Sequence, residues 1–253
     1  MTKKERIGET SYNFQGLKME IIEYFNIYDI TVKFENGFVA KHRRYREFIK
    51  GNIKNLLHPT VCNIGYIGVG EYKSSYNGKS TIAYIKWREM IRRCYDEQEL
   101  IEHPTYEPCI VCEEWYNFQN FAKWFYENYY TIPGEKMHLD KDILFKGNKL
   151  YSPKTCCIVP QQINYLFLKS DATRGKYLIG VHFEKDTNKY VAECRRMNTR
   201  NKRIGRFNTE LEAFYKYKEV KEQEIKDVAN FYKDYIPEKV YNAMMHYEVE
   251  MTD

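Results

Sequence analysis

The stretch His138-Leu139-Asp140-Lys141-Asp142 brings one imidazole and two carboxylates within five residues. Side chains at i, i+2 and i+4 of a β-strand point to one side. A strand here would gather His138, Asp140 and Asp142 on one face. Hard oxygen donors beside a ring nitrogen suit Mg2+ or Mn2+ and the hydrolysis of phosphodiester bonds. An exposed polar strand face is the plainer reading of the same spacing, and from spacing alone it is the commoner one.

Two other groupings imitate chemical motifs. Cys109-Ile110-Val111-Cys112 has the spacing of a zinc-ligand pair, with Cys156-Cys157 as the only adjacent pair that could complete four sulfurs. A true second pair is separated by two to four residues, and cysteine is a common small buried hydrophobe, so zinc is disfavoured. Gly78-Lys79-Ser80-Thr81 resembles the end of a phosphate-binding loop. That loop needs a glycine five positions before Gly78, where Lys73 stands, and ATP binding is set aside.

Charge is unevenly placed. The 253 residues carry 40 Lys+Arg against 35 Asp+Glu, a net +5 that excludes both a histone-like polycation and an acidic disordered tail protein. Lys41 to Lys54 holds six basic residues against Glu47, a local +5; Arg174 to Arg206 holds ten against Glu184, Asp186 and Glu193, a local +7. Asp96 to Glu114 holds seven acids and no Lys or Arg, a local −7. Two basic patches interleaved with Tyr and Phe point to nucleic acid more than a single solvated face would. No apolar run approaches the ~18–20 residues of a membrane span, so no membrane partner is expected. Met1 to Arg6 is charged with no apolar stretch behind it, unlike a signal peptide. The expected compartment is a cytoplasm, and the seven scattered cysteines suit reduced thiols.

The elements that must position these groups follow from periodicity. Ile30, Val32 and Phe34 alternate with polar residues, and Asn36-Gly37 signals a tight hairpin; with a second Asn-Gly at 77–78, residues 1–78 read as a small β-barrel or curled sheet. Ile85, Met90 and Ile91 share a helical face near Trp87. Trp115, Phe118, Phe121, Ala122 and Phe125 recur as an amphipathic helix whose aromatics are core. Met137 to Leu144 reads as a strand, Lys146 to Lys149 as a turn, and Ser152-Pro153 as a helix start leading to about Asn164–Phe167. Tyr177–Phe183, Tyr190–Arg195 and Arg203–Phe207 read as three strands. Thr209-Glu210-Leu211-Glu212 is a capping box opening a helix toward Phe231. Pro237 then precedes a last short helix.

Two family resemblances overlie this pattern. Trp87, Met90, Arg93-Cys94, Val111 to Trp115 and Phe118, followed by Leu139-Asp140-Lys141-Asp142, Gly147-Asn148, Tyr151-Ser152-Pro153, Cys156, Gln162 and Asn164, resemble the HNH-type endonuclease-like proteins of bacteriophages over about residues 84–168. That resemblance implies a β-hairpin and helix gripping one divalent ion, Mg2+ or Mn2+. It places Asp140 at the metal-binding aspartate, with Asp142 and, more loosely, Asn164 as further ligands. Lys141 stands where the family has its general-base histidine, and a protonated lysine cannot accept a proton. His138 or Asp142 is then the substitute, and Asn148 would orient the hairpin or the base.

The second resemblance covers about 176–220. Gly180 to Phe183, Lys189 to Arg195, Ile204 to Thr209 and Glu212 to Phe214 look like the APETALA-type DNA-binding domain, in which a three-stranded sheet lies in the major groove with a helix behind it. It implies that His182, Tyr190, Arg195 and Arg206 lie on or near bases, and Lys189 and Arg203 on phosphates. Arg is the best base reader among these side chains, through a bidentate bond to guanine. Arg43 and Arg44, from the first basic patch, are the candidates for a second nucleic-acid contact.

The expected class is α+β in several modules: a β-barrel over 1–78, a central helical and ββα-metal unit over 79–170, a three-stranded sheet plus helix over 171–233, and a helical tail over 234–253. The expected function is a phage-type endonuclease that cuts or nicks duplex DNA in the host cell cytoplasm. The alternative is a non-catalytic DNA-binding protein that keeps the nuclease scaffold, as a regulator or as an inhibitor with a host protein partner. Lys141 favours the alternative; the cluster of His138, Asp140 and Asp142 favours the enzyme.

Overall fold

The computed structural model describes residues 6–168, 175–195, 197 and 201–253. They form an α+β protein with seven α-helices and several small sheets, none of which closes into a barrel. The chain divides into two compact units, Met1–Tyr126 and Glu127–Asp253. None of the helices described is long and apolar enough to cross a membrane.

The first unit opens with β1 (Thr10–Tyr12), β2 (Lys18–Asn26), β3 (Asp29–Phe34) and β4 (Val39–Arg43), an antiparallel sheet in that order. The Asn36-Gly37 hairpin forms as expected, with Phe34 N–H bonded to Phe38 O at 2.8 Å and Gly37 in the left-handed region at φ +87°. The expected barrel does not. Helix α1 (Tyr45–Ile49) and the segment after it contribute Phe48 and Ile53 to the core of Met19, Ile21, Ile30, Val32 and Phe34. With those residues packed against its apolar side chains, an open sheet has a buried face and needs no closure. A bulge between Ile21 and Glu23 lets Ile21 and Tyr24, an odd number of residues apart, both reach that core.

A small hairpin, β5 (Ser75–Tyr76) and β6 (Lys79–Ser80), turns at Asn77-Gly78 and ends at Thr81, which caps α2 (Ile82–Tyr95) by accepting from Tyr84 N–H. The phosphate-loop look-alike is therefore a turn and a helix cap. Helix α3 (Glu97–Glu102), the short strand β7 (Ile110–Val111) and α4 (Phe118–Asn128) follow. Trp115 lies in a 3-10 turn before α4, and its carbonyl accepts from Trp87 Nε1 at 2.7 Å. The ring pairs Trp87–Phe118 and Trp115–Phe121 pack edge to face, confirming these aromatics as core.

In the second unit β8 (Met137–Asp140) pairs antiparallel with β10 (Cys157–Pro160), with the short β9 (Leu150–Tyr151) between them in sequence. Helix α5 (Gln161–Leu166) follows Pro160 directly. The helix expected to open at Ser152-Pro153 is one turn only: Cys156 N–H bonds Ser152 O at 3.0 Å, and the chain then enters β10. The second sheet has β11 (Val181–Glu184), β12 (Lys189–Arg195) and β13 (Asn201–Phe207) in order. Its first strand starts later than alternation predicts. Gly180 sits at φ +73°, where a Cβ would lie 2.1 Å from the Tyr217 ring, so backbone and ring meet there and the strand begins beyond it.

The capping box opens α6 (Glu210–Tyr232): Glu212 N–H donates to Thr209 Oγ1 at 3.2 Å, and Thr209 N–H to Glu212 Oε2 at 3.0 Å. At 23 residues this helix is about 35 Å long. Its first half puts Ala213, Phe214 and Tyr217 against Val181, Ala192 and Cys194 of the sheet. Its second half puts Ile225, Val228, Ala229 and Tyr232 in one core with Ile143, Cys157, Val159 and Ile163 of the β8–α5 region. Helix α7 (Glu238–Met245), started by Pro237, adds Val240 and Met244 to that second core.

Candidate functional site

Strand β8 alternates as its sequence demands. Met137 and Leu139 are buried, while His138 and Asp140 share the other face, opposite Val159 and Cys157 of β10. The expected strand to Leu144 stops at Asp140 for a local reason. Asp140 Oδ1 accepts from the backbone N–H of Asp142 at 2.9 Å and of Ile143 at 2.8 Å, which folds the chain into a turn. Asp142 therefore joins the cluster from a turn and not from the strand face.

Burial, and then the neighbouring Asp142 carboxylate, push the Asp140 carboxyl up to about 6. Lys141 is only 7 % exposed. Its ammonium lies 3.2 Å from Asp142 Oδ2 and over the Tyr151 ring. It thus works as a counter-ion inside the cluster, and as a cation it accepts no proton. Asn148 clamps the loop around these groups: its Nδ2 donates to Lys141 O and Leu150 O, both at 2.7 Å. These bonds hold backbone. Asn164, on α5, places its amide 3.4 Å from His138 Nδ1, and the Tyr165 ring meets His138 edge to face.

The expected ligand set is thus brought together in two pairs, Asp140 with Asp142 and Asn164 with His138. Among the described residues no group of three or more His, Cys, Asp or Glu stands close enough to hold a metal ion. The donor chemistry that is present still fits one hard cation, because the Asp142 carboxylate helps to raise the Asp140 carboxyl and a divalent ion would relieve that. Asp140 would offer Oδ2, its Oδ1 being committed to the turn, and Asp142 would have to share its carboxylate with Lys141.

The C-terminal sheet has one face on α6 and one open face. Its register sets His182 beside Val191 and Arg206, Glu184 beside Lys189, and Glu193 beside Arg203. A bulge at Ala192/Glu193 puts Arg203 and Arg206, three residues apart, on the same open face. Both arginines converge on Glu184. Arg206 Nε donates to Oε2 at 2.6 Å, and Arg203 Nη2 to Oε1 at 2.8 Å. These bonds, with one from Thr187, hold the Glu184 carboxyl at about 2. His182 is exposed on this face, and Lys189 bonds the Asn208 side chain.

Tyr190 lies elsewhere: with Phe183 and Phe207 it is on the helix side, its ring 5.0 Å from Phe183. Arg195, at the end of β12, lines a pocket formed with α5 and α6. In the first unit Arg43 is half-buried at the end of β4, and Arg44 is exposed before α1, its N–H toward Glu47. Sequence reasoning missed Glu184 and Lys221. The second was visible as a lysine four residues after Tyr217 and four before Ile225, on the buried stripe of α6.

No known family profile, no curated protein and no solved structure matches this chain.

Proposed function

We propose that this protein binds duplex DNA on the open face of β11–β13 and hydrolyses a phosphodiester bond at the β8–α5 site with one Mg2+ or Mn2+. The observation that carries the reading is the Asp140–Asp142 carboxylate pair with His138 on the same strand face. Asp140 and Asp142 would hold the ion, which supplies charge stabilisation to the phosphate. His138, its ring set by Asn164, takes the proton of the attacking water. Lys141 contributes fixed positive charge, Asn148 holds the loop, and Arg203, Arg206, Lys189 and His182 face the duplex. The Lys141–Asp142 ion pair favours a second reading, a DNA-binding protein whose nuclease scaffold is silent, because it places a cation where the metal would bind.

Supercoiled plasmid incubated with Mg2+, with Mn2+ and with EDTA separates the two. Metal-dependent nicking that disappears in Asp140→Ala is the expected result. Tight, salt-sensitive binding without nicking in either metal would leave only the second reading.

A further inference from the structure

We infer that the pocket between α5 and α6 is a phosphate site that seats a backbone phosphodiester of the nucleic acid held by the sheet. The inference rests on the DNA-binding reading and adds a contact to it. The pocket is small and partly open to solvent, and two cations line it: Lys221 from α6 and Arg195 from the end of β12. Gln162 and Tyr165 of α5 supply an amide and a phenol, and Leu166 and Val228 form apolar wall.

Lys221 is the informative group. It stands half-buried on a helix stripe otherwise filled by Phe214, Tyr217, Ile225 and Val228. Burial lowers its ammonium below the usual lysine value, opposed in part by Cys194 and Glu224, while Arg195 adds a smaller push in the same direction as burial. Glu224 acts on it only through space: its Oε1 accepts the Met197 N–H at 2.5 Å, and it forms no ion pair with Lys221. Among the described residues neither the Lys221 ammonium nor the Arg195 guanidinium has a hydrogen bond or an ion pair.

Two like charges lining one pocket with no ion-pair partner among the described residues are unfavourable by themselves. A tetrahedral anion reverses this: it relieves the repulsion and accepts charge-assisted bonds from both cations. Tyr165, which lines the pocket, also packs on His138 with ring centroids 6.3 Å apart. A phosphate seated there would lie one side chain away from the β8 cluster. It would hold a strand beside the groups proposed to cut it, much as phosphate contacts fix register without reading sequence.

The full chain tests this through Lys221→Met and Lys221→Arg. Lys221→Met removes a half-buried cation that has no partner, so its thermal midpoint is expected to rise. Its duplex affinity is expected to fall equally for all sequences, with a salt slope smaller by about 0.9, the value of one lost phosphate contact. Lys221→Arg keeps the slope. A purely structural lysine would not couple higher stability to weaker binding. If wild type binds duplex and Lys221→Met matches its affinity and slope, the pocket is overturned while the DNA reading stands. If wild type binds no duplex, the DNA reading falls, and titration with inorganic phosphate decides: binding lost in Lys221→Met supports the anion site, and no binding overturns it.

Discussion

Glu184 and Arg206 face each other across the open side of the C-terminal sheet, carboxylate to guanidinium, at 2.6 Å. Arg203 reaches the same carboxylate from the same strand at 2.8 Å. The two arginines proposed to face DNA are therefore held in fixed directions by an acid on β11, across the intervening strand β12. Glu193 lies on this face as well, opposite Arg203, so carboxylates and cations alternate there.

Glu184→Gln should loosen both arginines and remove one negative charge from the face. The expected outcome is tighter binding to random duplex with a steeper salt dependence, and poorer discrimination between sequences. Competition binding in a salt series measures both. Unchanged discrimination would mean that the pairing plays no part in recognition.

Asp140 sets the pH behaviour of the β8 site. Its carboxyl is raised from 3.8 to about 6 in the fold, so the neutral form is favoured there. A raised pKa contributes stability that is complete below the unfolded value and is lost as pH climbs through the folded one. Stability from this group should thus decline between about pH 4 and pH 6. Asp140→Asn keeps an acceptor for the Asp142 and Ile143 N–H groups and removes the charge. It should be more stable than wild type at pH 7 by on the order of 3 kcal/mol, equal to it near pH 3, and unable to nick. Denaturant midpoints at several pH values check the sign.

Lys141→Met tests the counter-ion role. Met has similar length and no charge, and Asp140 and Asp142 would then repel without relief. Mn2+ affinity, read by calorimetry, should rise relative to wild type. If it does not, the carboxylate pair is no cation site.

Gly180→Ala should be costly despite its small size. It puts a Cβ at positive φ and 2.1 Å from the Tyr217 ring, so the strand start and the α6 contact must both shift. A loss of about 2–4 kcal/mol is expected from strain and overpacking together. A thermal midpoint within a degree or two of wild type would contradict that contact.

Local chemistry was legible in the sequence. The Thr209–Glu212 box, the Asn-Gly hairpins, the helical aromatics and the three C-terminal strands follow from spacing within a few residues. What failed depends on partners distant in sequence. Nothing near residues 10–43 says that Phe48 and Ile53 will join their core, so the spacing leaves a barrel and an open curled sheet equally possible. Asp140 ends its own strand through a turn that competes with alternation, so Asp142 could not be placed by period. The APETALA-type resemblance puts Tyr190 on or near bases, but its ladder partners Phe183 and Phe207 fix it on the helix side. The Glu184 pairing needs the register of three strands, including a bulge, before it can be seen.

Helix α6 has one last consequence. Because its first half is core to the sheet and its second half is core to the β8–α5 hairpin, the two sites share a single stiff rod and no hinge. A duplex gripped by the sheet would meet the β8 cluster at a set offset in base pairs. The helix would act as a ruler, and the distance from recognised sequence to cut would be written in its number of turns.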